Sequence, residues 1–142
     1  MTVTSALVAA AAIVDDLQQP RALLAARRSA PKSLAGRWEF PGGKVEDGES
    51  NEAALHREIR EELGVAVHLG ERVHGPDGED WPILRGHRMR VWLAQIRTGT
   101  PRPLADHDDL RWLHLPDLHA VPWLEPDLPI VNAVRRLLTS EA

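Results

Sequence analysis

Apolar residues fall into short runs whose spacing predicts strands and helices in alternation. Ala6 to Val14 is almost continuously apolar. Its alanines would permit a helix, but Val8, Ile13 and Val14 and the turn-like Asp15-Asp16 that follows predict a strand entering a core. Ala22 to Arg28, apolar and then basic, predicts a second strand pairing with the first as a hairpin through an Asp15 to Pro20 turn. Pro31, Gly36, Pro41, Gly42 and Gly43 then punctuate a loop. From Ser50 to Leu63 the period becomes helical. Ser50 is a good N-cap, Ala54 or Leu55, Ile59 and Leu63 form a stripe four residues apart, and Gly64 stands where a helix ends on glycine.

Beyond the helix, Val65, Val67 and Leu69 alternate with polar or small residues, as do Met89, Val91 and Leu93, and Leu110 to Leu115 predicts a further strand. Pro76 to Gly86 reads as a loop. Pro129 to Leu138, with Ile130, Val134, Leu137 and Leu138 at helical spacing, predicts a closing helix. Strands, one helix, strands and a last helix imply a mixed α/β fold with a central sheet between helices. There is no internal repeat, low-complexity tract or linker, and 142 residues suit a single domain, 1–142.

Composition narrows the partners. With 17 Lys plus Arg against 21 Asp plus Glu, the formal net charge is −4, which disfavours a stable grip on nucleic-acid polymers. No cysteine is present, which removes disulfides, thiolate zinc sites and thiol nucleophiles and permits a reducing cytoplasm, the expected compartment. The apolar run at the start is well short of the roughly 20 residues a membrane span needs, and no basic residue precedes it as in a secretory signal. Seven histidines show no His-x-x-x-His or similar spacing, so zinc is not expected.

The chemistry concentrates between Gly42 and Val65. Glu58, Glu61 and Glu62 lie at i, i+3 and i+4, within one arc of about 100° on a helix. Alone, such acids describe an ordinary solvated face. Their mutual repulsion, roughly 0.2–0.5 kcal/mol per pair and only partly offset by Arg57, would be relieved by a cation. Hard divalent ions take oxygen ligands, and magnesium is usually held by one or two carboxylates together with substrate phosphates. Gly42-Gly43 allows close backbone approach, and Lys44 supplies a point charge for a phosphate oxygen.

Gly43, Glu49 and the run Arg57-Glu58-Ile59-Arg60-Glu61-Glu62-Leu63-Gly64-Val65 match the Nudix box at every specified position. The chain therefore resembles the Nudix hydrolases. The flanking Trp38-Glu39-Phe40-Pro41 and the order of strands resemble the MutT-like and CTP-pyrophosphohydrolase-like branch. The resemblance implies a Nudix-type α/β/α sandwich with a central mixed sheet, and cleavage of a nucleoside diphosphate linked to a further group with Mg²⁺ or Mn²⁺. It makes Glu58, Glu61, Glu62 and the Gly42 carbonyl metal ligands, and Glu49 and Arg57 a pair bracing the loop against the helix. It places Arg28 near the nucleotide, makes Asp106, beside His107, a further metal ligand or base, and sets Asp127 at the nucleobase edge. Glu58 or Asp106 would orient the water, with Lys44 and Arg28 on the phosphates.

Three of these positions also have simpler readings: Arg28 as a surface arginine, Asp106 as one loop acid beside Asp108 and Asp109, and Asp127 as a helix-start residue. The tryptophans are expected in the core or pocket wall, with Trp81 or Trp123 covering the base. An ionised Asp127 only accepts hydrogen bonds, which suits the amino group of cytosine and favours CTP, dCTP or a 5-substituted cytosine nucleotide. A protonated Asp127 could donate, so 8-oxo-dGTP stays open. Nucleoside diphosphate sugars or dinucleoside polyphosphates, and a catalytically silent sensor, are the other readings. The expected partner is a small nucleotide, and the expected state is a monomer or homodimer.

Overall fold

The computed structural model describes residues 6–139. Strand β1 (Leu7–Val14) lies at the centre of a mixed sheet, and its successive side chains feed two different cores. Ala9, Ala11 and Ile13 pack with Leu55, Ile59 and Leu63 of helix α1 (Asn51–Leu63). Ala10, Ala12 and Val14 pack with Ile130, Val131 and Val134 of helix α2 (Leu128–Thr139), on the opposite face. Burial on both faces is why this strand is apolar without alternation. The expected sandwich of helix, sheet and helix is the observed one.

Strand β7 (Arg88–Thr98) runs parallel to β1 from Leu7↔Arg88 to Val14↔Gln95, and β5 (Ala66–Val73) pairs antiparallel with its other side. Strand β2 (Ala22–Arg28) pairs along its length with β8 (His107–His114). The expected β1–β2 hairpin closes through Asp15, whose Oδ1 accepts from the Arg21 and Ala22 amides at 2.8 and 3.1 Å. Its ladder, however, consists of Val14↔Leu23 alone. Beyond that pair the strands diverge like a fork, and the segment read from sequence as loop fills the gap. Its β3 (Trp38–Glu39) pairs with β2 and its β4 (Gly42–Lys44) pairs with β1. Proline and glycine cut these strands to two and three residues, too short to show a period.

The expected loop from Pro76 to Gly86 likewise contains a two-residue strand, β6 (Trp81–Pro82), on the start of β7. The caps of α1 are as expected: the Ser50 hydroxyl accepts from the Ala53 amide at 3.1 Å, and Gly64 is left-handed at φ 72°. In α2 the buried stripe is Ile130, Val131 and Val134, whereas Leu137 is exposed. Trp38, Trp81, Trp92 and Trp123 are buried, while Trp112 is exposed on β8. Among the described residues no helix is long and apolar enough to cross a membrane.

Candidate functional site

The site forms where the fork meets α1. Gly42 has φ +155°, and a Cβ there would strike the Ala9 carbonyl of β1. A Cβ on Gly43 would strike the Glu58 carboxylate. Gly42 must therefore lack a side chain, and any Cβ at Gly43 would displace the Glu58 carboxylate from the backbone of β4. The Gly42 amide donates to Glu62 Oε1 at 3.1 Å. Glu58 and Glu61 turn to a common point, Arg57 Nη1, at 3.0 and 3.3 Å. Arg57 also grips Glu49 with two bonds, Nε to Oε2 at 2.7 Å and Nη2 to Oε1 at 3.0 Å, and donates from Nη2 to the Lys44 carbonyl at 3.2 Å. The guanidinium thus staples the loop to the helix.

Among the described residues no three His, Asp or Glu side chains are gathered into a ready ion cage. Glu58 and Glu61 share the single charge of Arg57 with Glu49, and Glu62 leans on an amide. The donor set nevertheless suits a hard divalent ion, because three carboxylates share the face and a glycine backbone flanks it. Burial pushes the Glu62 carboxyl up to about 7 against the opposing pull of His107 and the Gly42 amide, with Glu39 and Glu58 adding to the rise. A cation beside it would relieve that penalty. At the other end of the staple, the hydrogen bonds from Arg57 hold Glu49 down to about 2 and raise Arg57 itself.

Two residues outside the expected set join this cluster. Glu39 Oε2 accepts from Arg28 Nη1 at 2.8 Å and lies 2.8 Å from His107 Nε2. The His107 side chain is only 1% exposed, and its Nδ1 has no partner among the described residues. Burial lowers the His107 pKa, but the hydrogen bond to Glu39 and the charges of Glu62 and Glu39 outweigh it, so the net shift is upward. A bulge in the β2–β8 ladder places Arg28 opposite His107 after Arg27 has paired with Asp109. Such an irregularity re-aims side chains, and here it is His107 that faces inward. Asp106 is exposed beside it, its carbonyl accepting from the Ser29 amide at 2.8 Å, and its side chain is not brought to the cluster. The sequence signal for Glu39 was its position as a lone acid between Trp38 and Phe40, two aromatics that the fold buries.

A cavity of about 370 Å³ opens from this cluster. Arg28, Glu39, Gly42 to Lys44, Met89, Leu124 and Asp127 are among the residues that line it, so Arg28, Lys44 and Asp127 share one cavity. Arg28 gives Nε to the Ala30 carbonyl and Nη1 to Glu39. Asp127 ends the turn Glu125–Asp127 ahead of α2, is 3% exposed, and accepts from the Phe40 amide at 3.2 Å. Burial, with the charge of Glu39 added, pushes its carboxyl up to about 7 despite that amide. Trp81 and Trp123 do not line this cavity. Their indoles donate to the Val73 and Leu118 carbonyls inside the core, and Trp123 packs on Phe40.

Comparison with known proteins agrees with this geometry. The family model for the NUDIX domain matches residues 6–134. A Mycobacterium tuberculosis protein named putative 8-oxo-dGTP diphosphatase 2 is 39% identical over 123 residues, 84% of each chain. The Escherichia coli CTP pyrophosphohydrolase is 36% identical over 116 residues, 81% of this chain and 83% of that one. The solution structure of the E. coli ORF135 protein superposes with a TM-score of 0.76 at 31% identity, over 97% of this chain and 94% of that one. With the box intact on α1, the same fold along nearly its whole length and a family match over residues 6–134, this chain belongs to the Nudix family and is a Nudix hydrolase.

Proposed function

We propose that this chain is a divalent-metal-dependent nucleoside triphosphate pyrophosphohydrolase that prefers CTP, dCTP or a 5-substituted cytosine nucleotide and releases the nucleoside monophosphate and pyrophosphate. The observation that carries this reading is that the acidic face of α1 meets, across Gly42 and Gly43, a cavity lined by Arg28, Lys44 and Asp127. Nudix hydrolases act on small-molecule nucleotides and generally use divalent metal ions. Glu58, Glu61, Glu62 and the Gly42 carbonyl would hold the ion. When bound, it polarises phosphoryl oxygens and lowers the pKa of water.

The chain's own groups supply position and charge. Arg57, held by Glu49, keeps Glu58 and Glu61 turned to the same side of the helix. Lys44 and the remaining Arg28 nitrogen, Nη2, meet the charge of the phosphates. Glu58 orients the attacking water. The water oxygen bonds to the β-phosphorus, the bridge to the α-phosphate breaks, and the water proton passes to solvent. Ionised Asp127 accepts from the cytosine amino group.

A second reading, 8-oxo-dGTP, draws on the rise of Asp127 to about 7, which leaves a protonated, donating form populated near neutrality. The M. tuberculosis relative carries that substrate in its name. The test supplies Mg²⁺ and a panel of CTP, dCTP, UTP, dGTP and 8-oxo-dGTP, and follows pyrophosphate and orthophosphate separately. Pyrophosphate chiefly from cytosine nucleotides supports the first reading, and chiefly from 8-oxo-dGTP the second. Orthophosphate alone, or no turnover on the whole panel, overturns both and leaves nucleotide sugars, dinucleoside polyphosphates or a silent sensor. An Asp127→Asn variant should change base preference more than maximal rate.

A further inference from the structure

The cavity that holds Asp127 is also lined by a histidine, His87, that the reading above leaves unused. His87 closes the turn Leu84–Gly86, its amide donating to the Leu84 carbonyl at 3.2 Å and its carbonyl accepting from Ile83 at 3.0 Å. The ring is fixed from the start of the sheet, because the Ala6 amide donates to His87 Nδ1 at 2.9 Å while Arg88 N–H returns to the Ala6 carbonyl at 3.0 Å. A ring nitrogen that accepts carries no proton, so the neutral imidazole keeps its proton on Nε2. Nε2 has no partner among the described residues. Around it the wall is apolar: Val8, Ile83, Leu84, Met89 and Leu124. In such a pocket a few placed polar groups fix the orientation of the ligand.

We propose that His87 is a second base-reading residue, whose Nε2–H donates to an acceptor on the nucleobase while Asp127 accepts from the neighbouring amino group. The inference rests on the cytosine reading above and deepens it. Cytosine sets an exocyclic amino group next to ring N3 and O2 acceptors, matching one acceptor and one donor on the protein. Uracil puts an oxo group where the amino group stands and N–H where N3 accepts, so the Asp127 contact and a His87 bond to N3 both fail. His87 and Asp127 together therefore discriminate where Asp127 alone, being able to switch protonation state, would not.

Binding of CMP and UMP measured by calorimetry tests this independently of turnover, with thermal unfolding of each protein alongside. His87→Asn places an acceptor at the Nδ1 position for Ala6 but lacks the distal donor, and His87→Gln places an amide N–H at the Nε2 position. The parent should bind CMP more tightly than UMP, and His87→Asn should lose about tenfold of that preference, the scale of one unmade hydrogen bond. His87→Gln should recover most of it. Equal affinity of the parent for CMP and UMP overturns the proposal, as does an unchanged preference in His87→Asn. Loss in both variants together with a lowered melting temperature also overturns it, because the ring would then serve only to anchor Ala6. Should the parent hydrolyse no triphosphate yet keep a His87-dependent preference for CMP, the proposed reaction fails and base reading by His87 stands.

Discussion

Replacing Asp127 by Asn should change how stability depends on pH, by an amount the structure sets. The carboxyl is 3% exposed, accepts a hydrogen bond from the Phe40 amide, and is pushed from 3.8 to about 7 by burial first and Glu39 second. Because the folded-state value is raised, the native protein retains a proton that the unfolded chain releases above 3.8. Stability contributed by this group is therefore full below 3.8 and is lost as pH rises toward and through 7. At ~1.4 kcal/mol per pH unit, that interval amounts to about 4 kcal/mol.

Asn keeps a carbonyl oxygen for the Phe40 amide and carries no charge, so the variant lacks this slope. Urea unfolding of both proteins from about pH 5 to about pH 8.5 should show the variant gaining on the parent by ~3 kcal/mol toward the alkaline end, the share of that interval lying above pH 5. In melting temperature the gain is on the order of 10 °C for a chain of this size. Other titrating groups, Glu62 among them, act in both proteins and cancel in the difference. Parallel stability curves across that range would refute the reasoning, since they would mean Asp127 titrates alike folded and unfolded.

Glu61→Gln should lower kcat by orders of magnitude while stability moves by no more than about 0.5 kcal/mol, because Glu61 is exposed and its contact with Arg57 is a surface pair. Near-parental turnover in a Mg²⁺ titration would remove Glu61 from the site. Gly43→Ala drives a methyl into the Glu58 carboxylate, so activity should collapse with the circular dichroism spectrum preserved, and an active Gly43→Ala protein would contradict the close approach. Glu49, held at about 2 by Arg57, contributes stability that is present above 4.5 and lost as pH falls toward 2. Glu49→Gln should flatten that acid limb in thermal melts, and an unaltered limb would count against the staple.

The parts whose signals are local were legible along the chain. The helical period with Ser50 and Gly64 as its ends was read within a residue, and spacing alone set Glu58, Glu61 and Glu62 on one face. The apolar run from Ala6 to Val14 was legible as a buried strand, and the order of strands and helices as a sheet between helices. The fork, by contrast, arises only from packing. No local pattern says that β1 and β2 part after Val14↔Leu23, because strand pairing depends on backbone partners far along the chain. That parting brings Glu39 to Arg28 and to His107, 68 residues away, while the bulge in the β2–β8 ladder sets His107 rather than Asp106 facing inward. The state of Asp127 was equally out of reach, since desolvation and the charge of Glu39, not the residue type, raise its carboxyl to about 7. Periodicity and caps are written in neighbouring residues, whereas burial and cross-strand contact exist only once distant segments have packed.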